Sequence, residues 1–363
     1  MKMGFIIVIL VAVLVHVYVL WHVYQVLPFP VWAKWTVVAL MVAALGLLFV
    51  GFSGLYDRMP LGLASLCYEV STSWLIVFLY LLLTFIVLDL GRLVHLLPKE
   101  WFHSNAWTAG AITAFIAGLL VYGNIHYHNK VREPLMLDTG KQLSKPVKVV
   151  MLSDLHLGYH NRKAEWQRWV KMINDEKPDL ILVAGDIIDG HMKPLLEEDM
   201  AADFHQLKAP VVACLGNHEY ITGIDQSLDF YSQAGITLLR DSVITVGDLV
   251  IVGRDDRFSR GRKPLKHLLE GADSSKFVIL LDHQPYKLEE AQKAGVDFQF
   301  SGHTHEGQVW PISLMVHGMY EIAWGFGQKG DTRYYVSSGL GIWGGKYRIG
   351  TRSEYIVATI QSR

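Results

Sequence analysis

The segment Ser301-Gly302-His303-Thr304-His305 decides how the rest of the chain is interpreted. It follows the run Val296-Asp297-Phe298-Gln299-Phe300, which has the length and composition of a buried strand. Two imidazoles one residue apart at a strand end can face a single metal cluster. A lone histidine is usually a structural residue, so the interpretation depends on partners from other segments.

Four earlier segments repeat this arrangement of a short apolar run followed by polar residues. Because strand ends converge at one edge of an α/β sheet, we expect these polar residues to lie together. The segments are Lys148–Leu152 before Asp154-Leu155-His156, Asp179–Ala184 before Gly185-Asp186-Ile187-Ile188-Asp189, Pro210–Leu215 before Gly216-Asn217-His218-Glu219, and Phe277–Leu281 before Asp282-His283.

Helical patterns and further strands complete the carboxyl-terminal part of the chain. Residues 162–176 repeat apolar side chains at helical spacing, which predicts an amphipathic helix packed on a sheet. Leu249–Gly253, Tyr334–Val336 and Glu354–Ile360 predict additional strands, enough for two packed sheets. We therefore predict an α/β domain over residues 146–363.

The side chains after these strands share one ligand chemistry. Carboxylates, imidazoles and an amide oxygen form a borderline-hard donor set that suits Mn²⁺, Fe or Zn²⁺ and lacks the thiolates of a structural zinc site. Two divalent ions ~3.5–4 Å apart can share a bridging hydroxide and stabilise both oxygens of an in-line displacement. Hydrolysis of a phosphate ester or anhydride is the reaction that this arrangement favours.

Together, the five motifs resemble the signature of calcineurin-like metallophosphoesterases, and the resemblance covers about residues 145–360. Four further segments are similar to a membrane-associated bacterial branch of that family. They are Asn217-His218-Glu219-Tyr220, Gly307-Gln308-Val309-Trp310-Pro311, Ser338-Gly339-Leu340-Gly341-Ile342-Trp343 and Arg348-Ile349-Gly350-Thr351-Arg352.

The resemblance implies a four-layer α/β/β/α sandwich that holds two divalent ions, Mn²⁺ first, with Fe or Zn²⁺ as alternatives. His218 would protonate the leaving oxygen or stabilise transition-state charge, since the unperturbed pKa of histidine lies near ~6.5. Asp189 would orient the His218 ring. The first ion would be held by Asp154, His156, Asp186 and His305, and the second by Asp186, Asn217, His283 and His303, with Asp186 bridging.

Two acidic residues beside these motifs need separate interpretations. Asp282 precedes His283 and is expected to support a ligand rather than to bind metal. Glu306 stands where the resembled branch commonly carries glycine. Its carboxylate would either crowd an anionic substrate or face solvent.

The amino-terminal part has a different composition. Hydrophobic residues make up 51% of the 363 residues, and residues 1–129 hold nearly all of the excess. Crossing the ~30 Å hydrocarbon layer takes ~20 apolar helical residues. Four uncharged windows therefore predict transmembrane helices near 4–26, 33–54, 71–91 and 106–125, followed by a polar linker at 130–145.

Features of these windows refine the membrane prediction. A cleaved signal peptide is the alternative for the first, but its apolar core exceeds ~7–15 residues. The balance of basic residues between the two sides leans towards a cytoplasmic catalytic domain on a multi-pass protein of the cell (inner) membrane. His16 and His22 lie inside the first window, as functional groups or as neutral, hydrogen-bonded histidines.

Charge and cysteine content limit the partners. A net charge of −1 gives no sign of a nucleic-acid partner. Cys67 and Cys214 lie in apolar runs and are interpreted as packing residues rather than a disulfide. The oligomeric state is left open.

Two segments bear on the substrate. The basic run Arg254–Lys263 is a solvated loop or a contact for anionic headgroups. Apolar residues over 312–326 are core, or an apolar lip beside the metals that suits acyl chains. We therefore predict a membrane lipid phosphoester or pyrophosphate as substrate. The alternatives are a phosphodiesterase or phosphatase acting on a soluble or protein substrate, and a non-catalytic scaffold.

Overall fold

The computed structural model describes the backbone of residues 2–363 and the side chains of residue 7 and residues 10–363. The chain divides into two compact units, with the boundary between Gly123 and Asn124. We refer to them as the helical unit and the α/β unit.

The helical unit consists of apolar helices joined by short connections. Among the residues whose side chains the structure describes, three helices, α2, α3 and α4, are long and apolar enough to cross a membrane, whereas α1 contributes an apolar stretch over Leu10–Val26. A fourth span therefore stays a prediction. The helices are α1 (Lys2–Val26), α2 (Val31–Phe52), α3 (Leu61–Leu93) and α4 (Ala106–His128), with 3₁₀ turns at Leu55–Arg58 and Lys99–Phe102. The last residues of α4, from Asn124, belong to the α/β unit.

Helix α3 begins ten residues earlier than the predicted 71–91. The prediction followed the uncharged window, which starts after Glu69. In the structure Glu69 is exposed, so the helix continues past its charge without burying it. Pro60 precedes the first turn, at a position where a missing backbone N–H leaves no helical hydrogen bond unmade.

The α/β unit contains twelve strands and eight short helices among the described residues. The strands are β1 (Lys130–Thr139), β2 (Val147–Leu152), β3 (Leu180–Ala184), β4 (Val211–Cys214), β5 (Thr237–Leu238), β6 (Ser242–Val246), β7 (Leu249–Gly253), β8 (Phe277–Leu281), β9 (Phe298–Ser301), β10 (Gly325–Lys329), β11 (Thr332–Val336) and β12 (Ser353–Ser362). The helices are α5 (Lys163–Asp175), α6 (Lys193–Glu197), α7 (Ala201–Phe204), α8 (Asn217–Thr222), α9 (Ile224–Gln233), α10 (Leu265–Leu268), α11 (Glu289–Lys293) and α12 (Ile312–Met319), with a 3₁₀ turn at His305–Gly307.

These strands form two six-stranded mixed sheets. The first has the order β1-β12-β2-β3-β4-β5, and the second has the order β10-β11-β9-β8-β7-β6. Strands β2, β3 and β4 are parallel neighbours in the first sheet, and β8 and β9 are parallel neighbours in the second. The predicted mixed α/β fold is confirmed.

The segment 130–145, interpreted from sequence as a linker, holds the long strand β1. All ten of its residues pair in parallel with β12, from Lys130 opposite Ser353 to Thr139 opposite Ser362. The polar composition reflects an edge strand with one exposed face. Its partner lies more than 200 residues away, so no local pattern marks the pairing.

Side chains of one strand alternate between two apolar clusters. In β3, Leu180 and Leu182 pack between the two sheets, whereas Ile181 and Val183 pack with Trp166 of α5 on the opposite face. Strand β8 follows the same rule in the second sheet. Its Phe277 and Ile279 face the first sheet, and its Val278 and Leu280 pack with residues of α10 and α11.

Candidate metal centre

Each predicted ligand follows a strand of the α/β unit. Asp154 and His156 come after β2, and Asp186 and Asp189 after β3. Asn217 and His218 begin α8 directly after β4, whereas His283 follows β8 and both His303 and His305 follow β9. Since these strands are parallel neighbours within their sheets, their exits lie at one edge of each sheet.

One group of ligand atoms consists of Asp154, His156 and His305, whose facing atoms lie within 4.8 Å of one another. Nε2 of His156 lies 3.0 Å from Nε2 of His305. Asp154 Oδ1 lies 3.5 Å from Nε2 of His305 and 3.9 Å from Nε2 of His156. All three residues are buried.

A second group contains Asp186, His283 and His303, again within 4.8 Å. The amide oxygen of Asn217 joins it, at 2.8 Å from Nδ1 of His303 and 3.2 Å from Nε2 of His283. Nδ1 of His283 lies 2.7 Å from the carbonyl oxygen of Ala184, which orients the ring so that Nε2 faces the group.

Asp186 connects the two groups through one oxygen atom. Its Oδ2 lies 3.1 Å from Nε2 of His283 and 3.7 Å from Nε2 of His156. Its other oxygen, Oδ1, accepts a hydrogen bond from the backbone N–H of His218 at 2.9 Å. The carboxylate is therefore held between the two sets of imidazoles.

Asp189 lies closer to His156 than to His218, which is the imidazole that it was predicted to orient. Its Oδ1 lies 3.0 Å from Nδ1 of His156 and 3.4 Å from Nδ1 of His218. A third imidazole, buried His160, approaches Oδ2 of Asp189 at 3.5 Å. Asp189 therefore orients a proposed metal ligand as well as lying behind His218. His160 was not predicted as part of the site from sequence.

The loops that carry these residues have an unusual backbone. Asp154, His156, Asp186, His303 and His305 all have φ between 45° and 72°, the left-handed region that few non-glycine residues adopt. Such residues concentrate at functional sites, where the surroundings hold them in place.

Two glycines allow the loops to approach each other. A Cβ atom on Gly216 would lie 2.1 Å from Oδ1 of Asp186, and one on Gly302 would lie 2.3 Å from Oδ2 of Asp154. Both distances are far below van der Waals contact, so a larger residue would displace a carboxylate. The glycines in these motifs are therefore needed for packing against the predicted ligands.

The donor set fits two divalent cations. Two buried carboxylates, four imidazoles and an amide oxygen converge with their lone-pair atoms facing each other, and no thiolate or lysine amine takes part. Without a cation, facing imidazole nitrogens such as those of His156 and His305 can form at most one hydrogen bond between them. A shared cation would satisfy both nitrogens.

The buried carboxylates of the site also favour the binding of positive charge. Burial and the neighbouring His283 together lower the pKa of His303 to about 3, which favours the neutral imidazole that a metal ligand requires. Burial also lowers the pKa of His283, but the Asp186 and Asp154 carboxylates raise it more, to well above its usual value. The buried carboxylates thus draw a proton or a cation towards them.

Glu219 was part of a quoted motif but received no role from sequence. Its carboxylate is fully buried and accepts hydrogen bonds from four backbone N–H groups, at 2.7 to 3.1 Å. The donors are Gly216 in its own loop and Asp186, Ile187 and Ile188 in the loop after β3. Glu219 therefore fastens together two loops that carry proposed ligands.

Arg348 also belongs to a quoted motif and proves to be a supporting residue. Its guanidinium is fully buried and donates from Nη1 to the carbonyl oxygen of His305 at 2.7 Å. It also donates to the carbonyl oxygens of Ser338 and Gly341. Burial lowers the pKa of Arg348 to about 10. The arginine holds the His305 backbone in its left-handed conformation.

Glu306 is neither exposed nor aimed at open solvent. Its side chain is buried, and Oε1 lies 3.6 Å from Nε2 of His317 on α12. The residue has φ 52°, a left-handed conformation that glycine adopts more readily than glutamate. The glutamate therefore links the turn that carries His305 to α12.

Asp282 and the basic run form a second supporting group. Asp282 is buried and ion-paired with Arg254, at 3.4 Å, and with Arg262. Arg257 instead lies exposed over the ring of Tyr286, with its guanidinium carbon 4.5 Å from the ring centre. The basic run therefore divides into buried structural cations and exposed ones.

Comparison with known proteins identifies the family. The profile of the calcineurin-like phosphoesterases matches residues 147–307. An uncharacterised metallophosphoesterase of Aquifex aeolicus is 33% identical over 263 residues, which cover 69% of this chain and 99% of the relative. The chain belongs to the calcineurin-like phosphoesterase family. Members of this family use divalent metal ions and act on phosphate esters.

Other calcineurin-like relatives extend the comparison. An uncharacterised metallophosphoesterase of Helicobacter pylori strain J99 is 32% identical over 240 residues, 62% of each chain, so this chain spans less than two thirds of that relative. A zebrafish (Danio rerio) transmembrane protein with a metallophosphoesterase domain is 27% identical over 331 residues, covering 83% of this chain and 74% of the relative. The latter similarity extends beyond the α/β unit.

Proposed function

We propose that this chain is a membrane-anchored, dinuclear-metal phosphoester hydrolase. The observation that carries the proposal is the position of Asp186, whose Oδ2 lies between His156 of one ligand group and His283 of the other. Asp154, His156, Asp186 and His305 would hold one cation, and Asp186, Asn217, His283 and His303 the other. Mn²⁺ is the first candidate, with Fe and Zn²⁺ as alternatives.

When bound, the two cations supply charge neutralisation at the phosphoryl oxygens and activation of an attacking water. The protein's own contribution centres on His218. Its side chain is 15% exposed, whereas those of His156 and His283 have no exposed surface, so it can reach a substrate. We assign His218 to donate a proton to the leaving oxygen, with Asp189 behind its ring.

The proposed domain organisation follows the fold. We propose a membrane region over residues 1–129 and a catalytic domain that begins with β1 instead of after a linker. The alternation of β3 and β8 between two clusters supports the four-layer α/β/β/α sandwich. The basic residues favour a multi-pass protein of the inner membrane with a cytoplasmic catalytic domain.

We propose a lipid phosphoester or pyrophosphate as the substrate. The support comes from α12, which directly follows the turn that carries His305. Its Leu314, Met315 and Met319 are each more than 60% exposed, and Trp310 before it is 51% exposed. Exposed apolar side chains beside a polar site suit a substrate that carries acyl chains.

The test uses the full chain in detergent with Mn²⁺. Hydrolysis is measured for a soluble aryl phosphodiester and for phosphatidic acid and a lipid pyrophosphate in mixed micelles. His218→Ala should lower turnover by about 10²–10⁴-fold while bound metal, measured by elemental analysis, is unchanged. His267→Ala, which removes an exposed histidine of α10, is the matched control.

The outcomes separate the alternatives. Equal turnover in His218→Ala and wild type would refute the assigned proton donor. No turnover of any substrate in metal-loaded wild type would favour a scaffold. Efficient cleavage of the soluble diester without cleavage of any lipid would support the hydrolase assignment. The same result would refute the proposed lipid substrate.

A further inference from the structure

Ionisable side chains cluster in the helical unit, where the proposed hydrolysis uses no residue. Asp89 of α3 accepts a hydrogen bond from the Tyr18 hydroxyl of α1 at 2.8 Å, and its Oδ2 lies 3.1 Å from Nε2 of His22. Arg92, one turn further along α3, approaches Asp89 at 3.9 Å. Ionisable groups in apolar helices are costly and usually mark a functional site.

A cavity of about 360 Å³ opens beside this cluster. Trp21, His22 and Gln25 of α1 form one side of it. Arg92 of α3 and two residues of the following connection, Lys99 and His103, form the other side. The guanidinium carbon of Arg92 lies 5.6 Å from the centre of the Phe102 ring, which holds the side chain at the cavity.

The position of the cavity along the helices corresponds to a membrane surface. The uncharged segment Val70–Leu88 of α3 is about 28 Å long at 1.5 Å per residue, close to the ~30 Å hydrocarbon thickness. Arg92 therefore falls just beyond one edge of the apolar layer. Trp21, Trp101 and Trp107 are 46% to 90% exposed near the same end, as interfacial tryptophans are.

The cavity carries unbalanced positive charge. Arg92 and the Asp89 carboxylate lie 3.9 Å apart and offset each other in charge, so the unbalanced charge is that of Lys99. Arg92 is 46% exposed. Lys99 is also exposed, and it forms no ion pair with any residue that the structure describes. Two cationic groups with free donors at a membrane surface favour a phosphate group.

We propose that this cavity binds the phosphate-bearing headgroup of an anionic phospholipid from the bilayer. Arg92 and Lys99 donate hydrogen bonds to the phosphate, and Trp21 lies beside the glycerol and upper acyl region. The site is separate from the hydrolase centre. Its ligand is a bilayer lipid that is held and not cleaved.

The experiment titrates the full chain in a neutral detergent with phosphatidylglycerol or phosphatidylcholine and counts bound lipids by native mass spectrometry. Phosphatidylglycerol should bind more tightly. Arg92→Gln and Lys99→Gln should each weaken its binding about fivefold, from ~1 kcal/mol per basic residue. Arg58→Gln removes an exposed cation that does not line the cavity, and it should change nothing.

Three results would overturn the proposal. They are equal affinity for the two lipids, unchanged phosphatidylglycerol affinity in the Arg92→Gln/Lys99→Gln double variant, and inorganic phosphate binding as tightly as the lipid. Helical circular dichroism verifies folding of each variant. If the double variant unfolds, the single exposed substitution Lys99→Gln decides the outcome.

Discussion

At the residue level, the Glu219 carboxylate is a clear example of one buried side chain that joins two loops through backbone hydrogen bonds. One side chain satisfies four backbone N–H groups that belong to two loops. A carboxylate matches this position because it has only acceptors. The arrangement keeps Asp186 and Asn217 at a constant separation without taking a place among the proposed ligands.

Glu219→Gln should therefore destabilise the α/β unit even though it preserves shape. The new amide group places its own N–H donors against backbone N–H donors. The loss of charge-assisted hydrogen bonds then lowers the free energy of unfolding by about 1.5–3 kcal/mol. Urea unfolding of the full chain in detergent, followed by tryptophan fluorescence, measures the change. Glu270→Gln, at an exposed position, is the control. Equal midpoints for both variants would contradict the role of Glu219.

At the level of secondary structure elements, strand β1 lies in a segment that was predicted to be a linker. Its exposed residues gave the segment the composition of a linker, yet Leu137 is fully buried between the sheets and Met136 is 56% exposed. The two neighbours point to opposite faces because successive strand side chains alternate. β1 thereby forms one edge of the first sheet and pairs with β12.

This alternation gives a matched pair of substitutions. Leu137→Ala should lower the free energy of unfolding by about 2–5 kcal/mol, because it opens a cavity in a packed core. Met136→Ala should change it by less than about 0.5 kcal/mol. The same urea titration measures both variants. Equal small effects would mean that 130–145 behaves as a linker after all.

At the level of the whole molecule, one chain combines apolar helices with a phosphoesterase domain. The helices of the first unit would keep the domain at the bilayer, and α12 offers exposed apolar side chains near the candidate metal centre. The concentration of lipid near the domain would then be high without strong binding of the domain itself to the bilayer. A bilayer lipid would be the most available phosphoester.

The substrate proposal can be tested through α12 alone. Leu314→Ser/Met315→Ser should lower hydrolysis of a lipid phosphoester in mixed micelles about tenfold, because apolar contact is lost, and leave cleavage of a soluble diester unchanged. Leu196→Ser, at a position on α6 that is 59% exposed, is the control. A parallel loss on both substrates would indicate damage to the metal centre instead.

Strand-end motifs made much of the α/β unit predictable. The strands before Asp154, Asp186, Asn217, His283 and His303 occur within one or two residues of their predicted positions. Short apolar runs carry this information locally, because a buried strand must be apolar on both faces. The roles of Glu219 and Arg348 were not predictable, since each acts on backbone atoms of segments distant in sequence.

By itself, the sequence determined the class of the protein: apolar helices, then an α/β domain whose strand ends carry imidazoles and carboxylates. These features depend on composition and periodicity within windows of about 20 residues. Only the tertiary structure decided that Asp189 lies closest to His156, that Glu306 is buried against His317, and that residues 130–139 join a sheet. Such contacts arise from the packing of distant segments, and no short stretch of sequence encodes the partner.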